Sequence, residues 1–357
     1  MRSPHDTPRS LGREAKIIVC SCHLSYNHPI HPIHPINLIG KQLFGDDVPQ
    51  RKDKTMPVKD HGMTAVAKHK TQEGVYEGPG YRFYHQSALT MAHCADDSIA
   101  LTITSPPYWN AIDYDVHTSR GADAWHRNRT YARFGQSLDD YMENIDAVFR
   151  RVLRITIKGG FCAIVVGTIL HKGKHFPIPM HITQRMMESG WEFHQDIIWN
   201  KVTGGVKRAG CFIQKPNFGY YYPNIMTEYI LIFRKAGAPR RGAKKALDID
   251  TLFTRDIANN IWHIAPIPPK TIPHPCPYPQ EIVRRLLLLY SQEGDDILDP
   301  FIGSGQTALV ARKHGRFCIG YDIEETYLQL SMQRLASPPK ERPYNLLPKV
   351  DKLAVTA

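Results

Sequence analysis

The chain has 357 residues, of which 42% are hydrophobic, and a formal net charge of +11 at pH 7. This composition predicts a globular protein with a sizeable core, and the positive charge favours an anionic partner such as nucleic acid. Seven scattered cysteines, an odd number, exclude a disulfide scaffold and favour a reducing compartment, which we take to be the cytoplasm. Apolar runs shorter than the roughly 18 residues that cross a bilayer argue against a membrane span.

Residues 1–75 differ from the rest of the chain and are predicted to form a disordered N-terminal extension. They contain the repeat HPIHPIHPI at 28–36 and then a run of mixed charge, with neither helical nor strand periodicity. One alternative is an over-extended reading frame whose natural start is Met56 or Met63. Another is a metal site. Its candidate ligands are Cys20, Cys22, His23, His28, His31 and His34. Prolines beside the histidines and the lack of CxxC pairs disfavour that site, so no metal is predicted.

Residues 76–340 alternate between strand and helix patterns, and residues 341–357 are predicted to be a C-terminal tail. Strands are predicted at 81–85, 98–104, 161–166, 193–199, 227–233, 296–300 and 317–322. Helices are predicted at 137–154, 178–190, 279–290 and 306–315. Ser137 is a good cap for the first helix, and Gly159-Gly160 is expected to break the chain before the third strand. The alternation implies an α/β domain with a mostly parallel sheet.

The stretch TITSPPYWN at 102–110 ends a predicted strand in a stiff corner. The two prolines fix the backbone and remove hydrogen-bond donors. What remains is the Ser105 hydroxyl, the carbonyl groups of residues 104–106 and the ring of Tyr108. Acceptors beside a stacking surface suit a flat ligand that bears an amino group. The alternative is a turn that only terminates the strand.

A second motif, ILDPFIGSGQ at 297–306, passes from a strand through a glycine-rich turn into a helix. The next predicted strand ends in Asp322, about 20 residues further on, which is the spacing of nucleoside-binding βα units. Glycines allow the backbone to approach the ligand, and the acid accepts hydrogen bonds from ribose hydroxyls. The alternative is an ordinary tight turn with a solvated Asp322.

These motifs together resemble those of S-adenosylmethionine-dependent amino-methyltransferases. D-P-F-x-G-S-G and the following acid resemble motifs I and II, and T-S-P-P-Y resembles motif IV. Residues 272–301 resemble the motif X helix and residues 226–235 resemble motif VIII. The catalytic motif precedes the cofactor motif, as in the permuted β class of DNA methyltransferases. The resemblance spans roughly residues 80–335 and implies a Rossmann-like methyltransferase fold with circularly permuted motif order.

The resemblance also implies roles for individual residues. The catalytic residues would be Ser105, Pro106, Pro107 and Tyr108. The residues that bind S-adenosylmethionine would be Thr104, His274, Pro275, Asp299, Pro300, Phe301, Gly303, Ser304, Gly305, Thr307 and Asp322. The Ser105 hydroxyl and the Pro106 carbonyl would accept hydrogen bonds from the amine, while Tyr108 stacks on a base flipped out of the duplex.

Three positions depart from the expected pattern or compete with it. Gln86-Ser87 stands where motif III commonly carries Gly-Asp on the adenine side of the cofactor. Gln306 stands where a threonine is common. Pro275-Cys276 resembles the dipeptide of cytosine-C5 methyltransferases, but its position before motif I favours a role in lining the methionine end of the cofactor pocket.

Three loops rich in basic residues, 111–136, 201–222 and 234–270, are predicted to bind DNA. Their proposed phosphate contacts are Arg127, Arg129, Lys207, Arg208, Arg240, Arg241, Lys244 and Lys245. Aromatic residues between the basic ones suggest a wedge into the base stack. For each loop alone, the alternative is an ordinary solvated surface.

The prediction is therefore methyl transfer from S-adenosylmethionine to cytosine N4 in double-stranded DNA, in a restriction-modification setting with a cognate endonuclease. Serine at the head of the PPY motif and the HPCPYP segment resemble the cytosine-N4 subgroup. The alternatives are adenine N6 as the target, an inactive nucleic-acid-binding protein, and RNA or a protein amine as substrate. Both a monomer and a dimer remain open.

Overall fold

The computed structural model describes residues 70–72, 74–109, 137–171, 174–201, 218–219, 225–240, 252, 256–268, 271–274 and 276–339. All of them belong to one compact unit, Met63–Ala357. Nearly all of the predicted N-terminal extension, the loop 111–136, most of the loop 201–222 and the C-terminal tail lie outside the described residues. Within the described part of the chain, no helix is long and apolar enough to cross a membrane.

Twelve strands and five helices make up the described structure. The strands are β1 Lys70–Gln72, β2 Val75–Gly78, β3 Tyr81–His85, β4 Ile99–Thr104, β5 Thr156–Val166, β6 Ile169–His171, β7 Lys174–Phe176, β8 Trp191–Asn200, β9 Thr227–Lys235, β10 Ile261–His263, β11 Asp296–Asp299 and β12 Phe317–Asp322. The helices are α1 Leu138–Ile155, α2 Ile178–Glu188, α3 Gln280–Tyr290, α4 Gln306–Lys313 and α5 Glu325–Ala336.

Ten strands form one sheet in the order β1-β2-β3-β12-β11-β4-β5-β9-β8-β10, and β6 pairs with β7 in a separate hairpin. The five strands β3, β12, β11, β4 and β5 are parallel to one another. Strand β9 runs antiparallel to both β5 and β8, and β10 is parallel to β8. The prediction of an α/β domain with a mostly parallel sheet is confirmed.

Helices cover both faces of the sheet because alternate strand residues point in opposite directions. In β5, Ala163 and Val165 pack into the cluster that contains α3, α4 and α5. Their neighbours Cys162 and Ile164 pack into the cluster that contains α1 and α2. Strand β4 is buried at all six positions, as expected for a central strand of a covered parallel sheet.

Helix α1 begins at the predicted cap. The Ser137 hydroxyl accepts from the Asp140 amide at 3.0 Å, and the Asp140 carboxylate accepts from the Ser137 amide at 3.1 Å. This reciprocal pair satisfies amides that the first turn leaves without helical partners. The same capping geometry fixes where the chain enters α1 after the loop 111–136.

One prediction about the sheet is wrong. Gly159-Gly160 does not break the chain but lies inside β5, which begins at Thr156. Gly159 has a φ of 73°, and the pairing of β4 with β5 shifts register between Ile99 and Leu101. The glycines therefore form a bulge that lets the strand continue, because glycine adopts positive φ without steric cost. Also missing from the predictions are the short strands β1, β2, β6, β7 and β10 and the helix α5.

The topology brings the ends of several strands to one edge of the sheet. Strands β4, β11 and β12 are parallel, so Thr104, Asp299 and Asp322 all lie at its carboxyl edge. Strand β9 runs in the opposite direction, so its first residues reach the same edge. In open α/β sheets, ligands bind at this carboxyl edge.

Candidate active site

A buried carboxylate joins the two sequence motifs. Thr104 Oγ1 donates to Asp299 Oδ1 at 2.7 Å, which ties the end of β4 to the end of β11. Asp299 also accepts from Thr307 Oγ1 at 2.7 Å, from the Tyr278 hydroxyl at 3.0 Å and from the Phe301 amide at 3.1 Å. Complete burial raises the pKa of the Asp299 carboxyl, against the lowering effect of these donors. Asp299 thereby fixes the position of the T-S-P-P-Y corner relative to the glycine turn.

The glycine turn is packed so closely that side chains would not fit. Gly303 has a φ of 48°, and a Cβ atom added there would lie 2.7 Å from Nε2 of His274. Gly305 has a φ of 74° and caps helix α4, and its added Cβ would lie 2.7 Å from the Ser331 hydroxyl. That hydroxyl donates to the Gly303 carbonyl at 2.7 Å. The backbone of the turn is therefore held in one conformation that depends on glycine at both positions.

Asp322, at the end of β12, faces the glycine turn. Its Oδ2 accepts from the Gly303 amide at 2.9 Å, and its Oδ1 accepts from the Glu324 amide at 2.9 Å. Burial raises the pKa of this carboxyl to about 7. Each carboxylate oxygen can accept a second hydrogen bond, so Asp322 retains acceptor capacity for the hydroxyls of a bound ligand.

His274 also packs against the glycine turn. Its ring lies edge-on to Tyr327, with the ring centroids 4.7 Å apart, and its Nδ1 accepts from the Cys276 amide at 3.3 Å. Burial and the nearby Arg334 guanidinium lower the pKa of His274 to about 4, so the ring is neutral at pH 7. Arg334 in turn donates to the Ser304 carbonyl and to Gln306 Oε1. The structure thus places His274 beside the glycine turn, whereas Pro275 lies outside the described residues.

The T-S-P-P-Y corner follows β4 with Pro106 buried and Ser105, Pro107 and Tyr108 half-buried. The Tyr108 hydroxyl donates to Glu228 Oε2 at 2.9 Å. Burial and the Glu228 carboxylate raise the pKa of Tyr108 well above its usual value, so the phenol stays protonated. The following residue, Trp109, packs edge-on against Phe176 with the ring centroids 4.8 Å apart.

Glu228 is one of the residues of this site that sequence reasoning missed, as are Tyr278 and Arg334. Glu228 lies in the segment 226–235 that resembles motif VIII, but nothing in that pattern assigned it a role. Its carboxylate also pairs with the Lys201 ammonium. The available signal was an acid directly before the apolar run YILIF in β9, a strand whose first residue lies at the carboxyl edge.

The segment that departs from motif III lies beside Asp322. It follows β3, which is parallel to β12, and His85 Nε2 lies 3.0 Å from the Ile323 carbonyl. Gln86 Oε1 lies 3.2 Å from His93 Nε2, and the Ser87 hydroxyl accepts from the Leu89 amide at 3.2 Å. The polar groups at this position are therefore amide and hydroxyl groups where relatives of this pattern commonly carry an acid.

The predicted DNA contacts separate into two groups. Seven of the eight lie outside the described residues: Arg127, Arg129, Lys207, Arg208, Arg241, Lys244 and Lys245. The eighth, Arg240, forms two hydrogen bonds of 2.7 Å with Asp295, which directly precedes β11. Arg240 therefore lies at the edge of the sheet opposite Thr104 and Asp322, and the structure does not bring it to the candidate site.

A cysteine nucleophile and a bound metal ion are the two alternative chemistries that the sequence raised. Cys276 is exposed. Among the residues that the structure describes, no group of three or more histidine, cysteine, aspartate or glutamate side chains is placed to hold a metal ion. The candidate metal ligands between Cys20 and His34 lie outside those residues.

Comparison with known proteins identifies the setting of this site. The family model N6_N4_Mtase, described as DNA methylase, matches residues 99–333. The type II methyltransferase M.MthZI of Methanothermobacter thermautotrophicus is 28% identical over 281 residues, which cover 71% of this chain and 76% of that protein. The type II methyltransferase M.ScaI of Streptomyces caespitosus is 25% identical over 272 residues, covering 73% and 83%.

Two solved structures are also similar. One is TTHA0409 of Thermus thermophilus, assigned as a DNA modification methylase and complexed with S-adenosyl-L-methionine. It is 28% identical with a TM-score of 0.51, and the match covers 70% of this chain and 92% of that one. The other is the PvuII DNA methyltransferase, which is cytosine-N4-specific. It is 17% identical with a TM-score of 0.55, covering 71% and 86%, and this likeness concerns the fold alone.

Proposed function

Because this chain belongs to the N6_N4 DNA methylase family, it is a DNA methyltransferase, and we propose that its target is the N4 amine of cytosine in double-stranded DNA. Its α/β fold is the Rossmann-like fold of the similar methyltransferase structures. The observation that carries the proposal is the hydrogen bond between Thr104 and Asp299. This bond holds the T-S-P-P-Y corner, which carries hydrogen-bond acceptors and the Tyr108 ring, beside the glycine turn that we propose binds the nucleoside.

The methyl donor in this proposal is S-adenosylmethionine, which the similar Thermus protein binds. Asp322 accepts from the ribose hydroxyls, the glycine turn passes along the ligand, and His274 and Pro275 line the methionine end. The fit is supported by the close packing of Gly303, where a Cβ atom would meet His274. The remaining contacts in the proposal are Thr104, Asp299, Pro300, Phe301, Ser304, Gly305 and Thr307. When bound, the cofactor supplies an electrophilic methyl group on a sulfonium.

The residues of the corner act on the amine. Its nitrogen is a weak nucleophile because its lone pair is delocalised into the ring of the base. The Ser105 hydroxyl and the Pro106 carbonyl accept from the two N–H bonds and favour a tetrahedral nitrogen with an available lone pair. The bound cofactor would supply its methyl group to this nitrogen, the electron pair of the cleaved C–S bond would remain on sulfur, and the proton released by the amine would pass to solvent. Positioning supplies much of the acceleration, and this chemistry requires no metal.

Tyr108 stacks on the base in this proposal, which requires that the base leave the duplex. The phenol is suited to this role because its hydroxyl is anchored by Glu228 while the ring remains half-buried at the carboxyl edge. The DNA phosphates would be contacted by Lys207, Arg208, Arg127, Arg129 and the basic residues after 240. Arg240 is left out because its guanidinium is held by Asp295.

Cytosine is preferred over adenine because serine heads the PPY motif and the HPCPYP segment follows later in the chain, and both resemble the cytosine-N4 subgroup. Adenine N6 is the second candidate, since the family model carries both amines in its name. The T-S-P-P-Y corner precedes the glycine turn in the chain, which supports the permuted motif order of the β class. The similarity to two type II methyltransferases supports a restriction-modification setting with a cognate endonuclease.

The experiment that tests the proposal combines the purified protein, S-adenosylmethionine with a deuterated methyl group, and duplex DNA of mixed sequence. The DNA is then digested to nucleosides and analysed by mass spectrometry. We expect deuterated N4-methylcytosine, absent with Ser105→Ala and with Tyr108→Ala. N6-methyladenine in its place would overturn the choice of base. Cofactor binding with no methylated nucleoside would favour the alternative of an inactive nucleic-acid-binding protein, and RNA would be tested next.

A further inference from the structure

A partly buried ion pair contacts the hydroxyl group of Tyr108. The Glu228 and Lys201 side chains are only 13% and 17% exposed, and they pair with each other through Glu228 Oε1. The second carboxylate oxygen, Oε2, accepts from the Tyr108 hydroxyl at 2.9 Å. The Lys201 ammonium also lies 5.0 Å from the centre of the Trp199 ring. Three side chains from three chain segments thus form one connected polar group at the carboxyl edge.

The sheet explains why these segments meet. Glu228 pairs with Trp199 across the antiparallel strands β9 and β8, and the Lys201 amide donates to the Met226 carbonyl at 3.0 Å. Strand β5 lies between β9 and β4, which is followed by Tyr108. Gly167, directly after β5, leaves space for the crossing, because a Cβ atom there would lie 3.1 Å from Cγ of Glu228. The Glu228 side chain can therefore reach across β5 to Tyr108.

A contribution to stability alone does not explain the partly buried ion pair between Glu228 and Lys201. Removing a carboxylate and an ammonium from water costs several kcal/mol for each ion, and apolar residues of similar volume often replace such a pair without loss of stability. A hydrogen bond to the end of an aromatic ring, by contrast, fixes the plane of that ring. A ring that must receive a flipped base benefits from being held in place before the base arrives.

We propose that Glu228, oriented by Lys201, is a positioning residue that holds the Tyr108 ring at the stacking face for the target base. The inference rests on the proposed function, in which Tyr108 contacts that base. Lys201 fixes the carboxylate, the carboxylate accepts from the phenol, and the ring can neither tilt nor leave the pocket. Loss of the pair should slow methyl transfer and weaken stacking of the flipped base. Cofactor affinity should not change, because the hydrogen bond and the ion pair of this group join Tyr108, Glu228 and Lys201 to one another and not to the glycine turn.

The test uses the double variant Glu228→Leu/Lys201→Met, which removes both charges together and leaves neither buried alone. Tyr108→Phe removes only the hydroxyl and keeps the ring. The matched control is Glu192→Leu/Arg234→Met, which removes the ion pair that joins β8 and β9 at the opposite edge of the sheet. A fourth protein combines the Glu228, Lys201 and Tyr108 changes. All are full-length chains with thermal unfolding recorded first.

The measurements are single-turnover methylation of a substrate duplex, the dissociation constant for S-adenosylmethionine, and the fluorescence of pyrrolocytosine at the target position. We expect the double variant and Tyr108→Phe each to slow transfer by about 10- to 100-fold, with cofactor affinity within twofold of wild type. The protein that combines all three changes should transfer no more slowly than the double variant or Tyr108→Phe, because each variant removes the same hydrogen bond between Tyr108 and Glu228. Pyrrolocytosine should show weaker quenching by the pocket in each of these variants, and the control pair should match wild type.

Transfer at the wild-type rate in the double variant would overturn the positioning role. So would a combined protein whose loss equals the product of the separate losses, since the two changes would then act independently. These results leave the proposed function standing. A wild-type protein that transfers no methyl group to DNA would instead overturn the proposed function and this inference with it. Partial recovery of the rate by Glu228→Gln, which keeps an acceptor for the phenol, would support the positioning role.

Discussion

Thr104 Oγ1 and Asp299 Oδ1 lie 2.7 Å apart, and their hydrogen bond joins two motifs that are separated by 195 positions in the chain. Thr104 immediately precedes the S-P-P-Y corner, and Asp299 lies four positions before Gly303 of the glycine turn. The geometry of the whole candidate site therefore depends on one buried carboxylate at the carboxyl ends of two neighbouring strands.

Asp299→Asn should destabilise the protein strongly. Four donors converge on the carboxylate, so the amide group of asparagine would place its own N–H bonds against some of them. We expect a loss of about 3 kcal/mol in the free energy of unfolding, measured by urea titration. The control is Asp97→Asn: the Asp97 carboxylate is exposed and pairs with Lys235, so its loss should change stability little. Equal losses in the two variants would contradict the role given to Asp299.

Gly303→Ala should abolish cofactor binding and destabilise the fold. The new Cβ would meet His274 Nε2 at 2.7 Å, in addition to the strain of a positive φ. Gly294→Ala is the matched control, since Gly294 has a φ of 85° with nothing within 4 Å of the added Cβ, so only strain of about 1 kcal/mol remains. Thermal unfolding and calorimetric titration of the cofactor measure both effects.

A second variant separates the clash from the strain at Gly303. Adding His274→Ala to Gly303→Ala removes the ring that the new Cβ would meet, so part of the lost stability should return. If the double variant is as unstable as the sum of the single variants, the contact between Gly303 and His274 is not the cause of the loss.

Cofactor affinity should depend on pH through Asp322. The pKa of its carboxyl is about 7, so the group is mostly protonated at pH 6 and mostly ionised at pH 8. If only the carboxylate accepts from both ribose hydroxyls, the dissociation constant should be about 10-fold larger at pH 6 than at pH 8. Calorimetric titration at the two pH values gives the ratio. The Asp322→Asn variant should bind the cofactor more weakly, and its dissociation constant should lose the pH dependence that comes from this carboxyl group. An identical ratio in the variant would contradict the assignment.

The same pKa shift has a consequence for the ligand-free protein. The unfolded carboxyl has a pKa of 3.8, whereas the folded one has a pKa of about 7, so the folded state binds more protons between these values. The contribution of Asp322 to stability is thus present below pH 3.8 and is lost as pH rises towards 7. Urea titrations between pH 3.8 and about 7 should show this loss as a change in the difference in unfolding free energy between the wild-type protein and Asp322→Asn.

Arg240→Ala should leave DNA affinity unchanged, because the Arg240 guanidinium is held by Asp295 at the edge away from the site. Lys207→Ala and Arg208→Ala should instead weaken binding. Each should also reduce the slope of log affinity against log salt by about 1. Fluorescence anisotropy over a salt series measures both quantities. A reduced slope for Arg240→Ala would show that this side chain reaches phosphate after all.

The sequence was sufficient to predict those parts of the fold whose pattern is local. Strands β3 and β12 match their predicted bounds, and α1 begins at the predicted Ser137 cap, because burial and capping leave regular signatures. Gly159-Gly160 was misread because a glycine pair marks a bulge as readily as a chain break, and only the pairing of β5 with its neighbours distinguishes the two. Three-residue strands such as β10 carry too little periodicity to be recognised.

The site was predictable to the extent that its residues lie in contiguous motifs. The structure brings Thr104, Asp299, Gly303 and Asp322 to one edge of the sheet, as the order of the motifs suggested, while their roles stay predictions. Glu228 could not be found in this way, because its contact with Tyr108 spans 120 positions and depends on the antiparallel insertion of β9. The pairing of Arg240 with Asp295 could not be foreseen for a similar reason, since the charge of a side chain does not show which edge of the sheet it faces.

The most direct test of the central claim is a structure of the protein with a non-reactive analogue of S-adenosylmethionine and a substrate duplex. The measured quantities are the distances from the amino nitrogen of the target base to Ser105 Oγ and to the Pro106 carbonyl oxygen. We expect a cytosine flipped out of the duplex and stacked on Tyr108, with both distances about 3 Å. A target base bound elsewhere, or a cofactor analogue bound away from Gly303 and Asp322, would contradict this expectation.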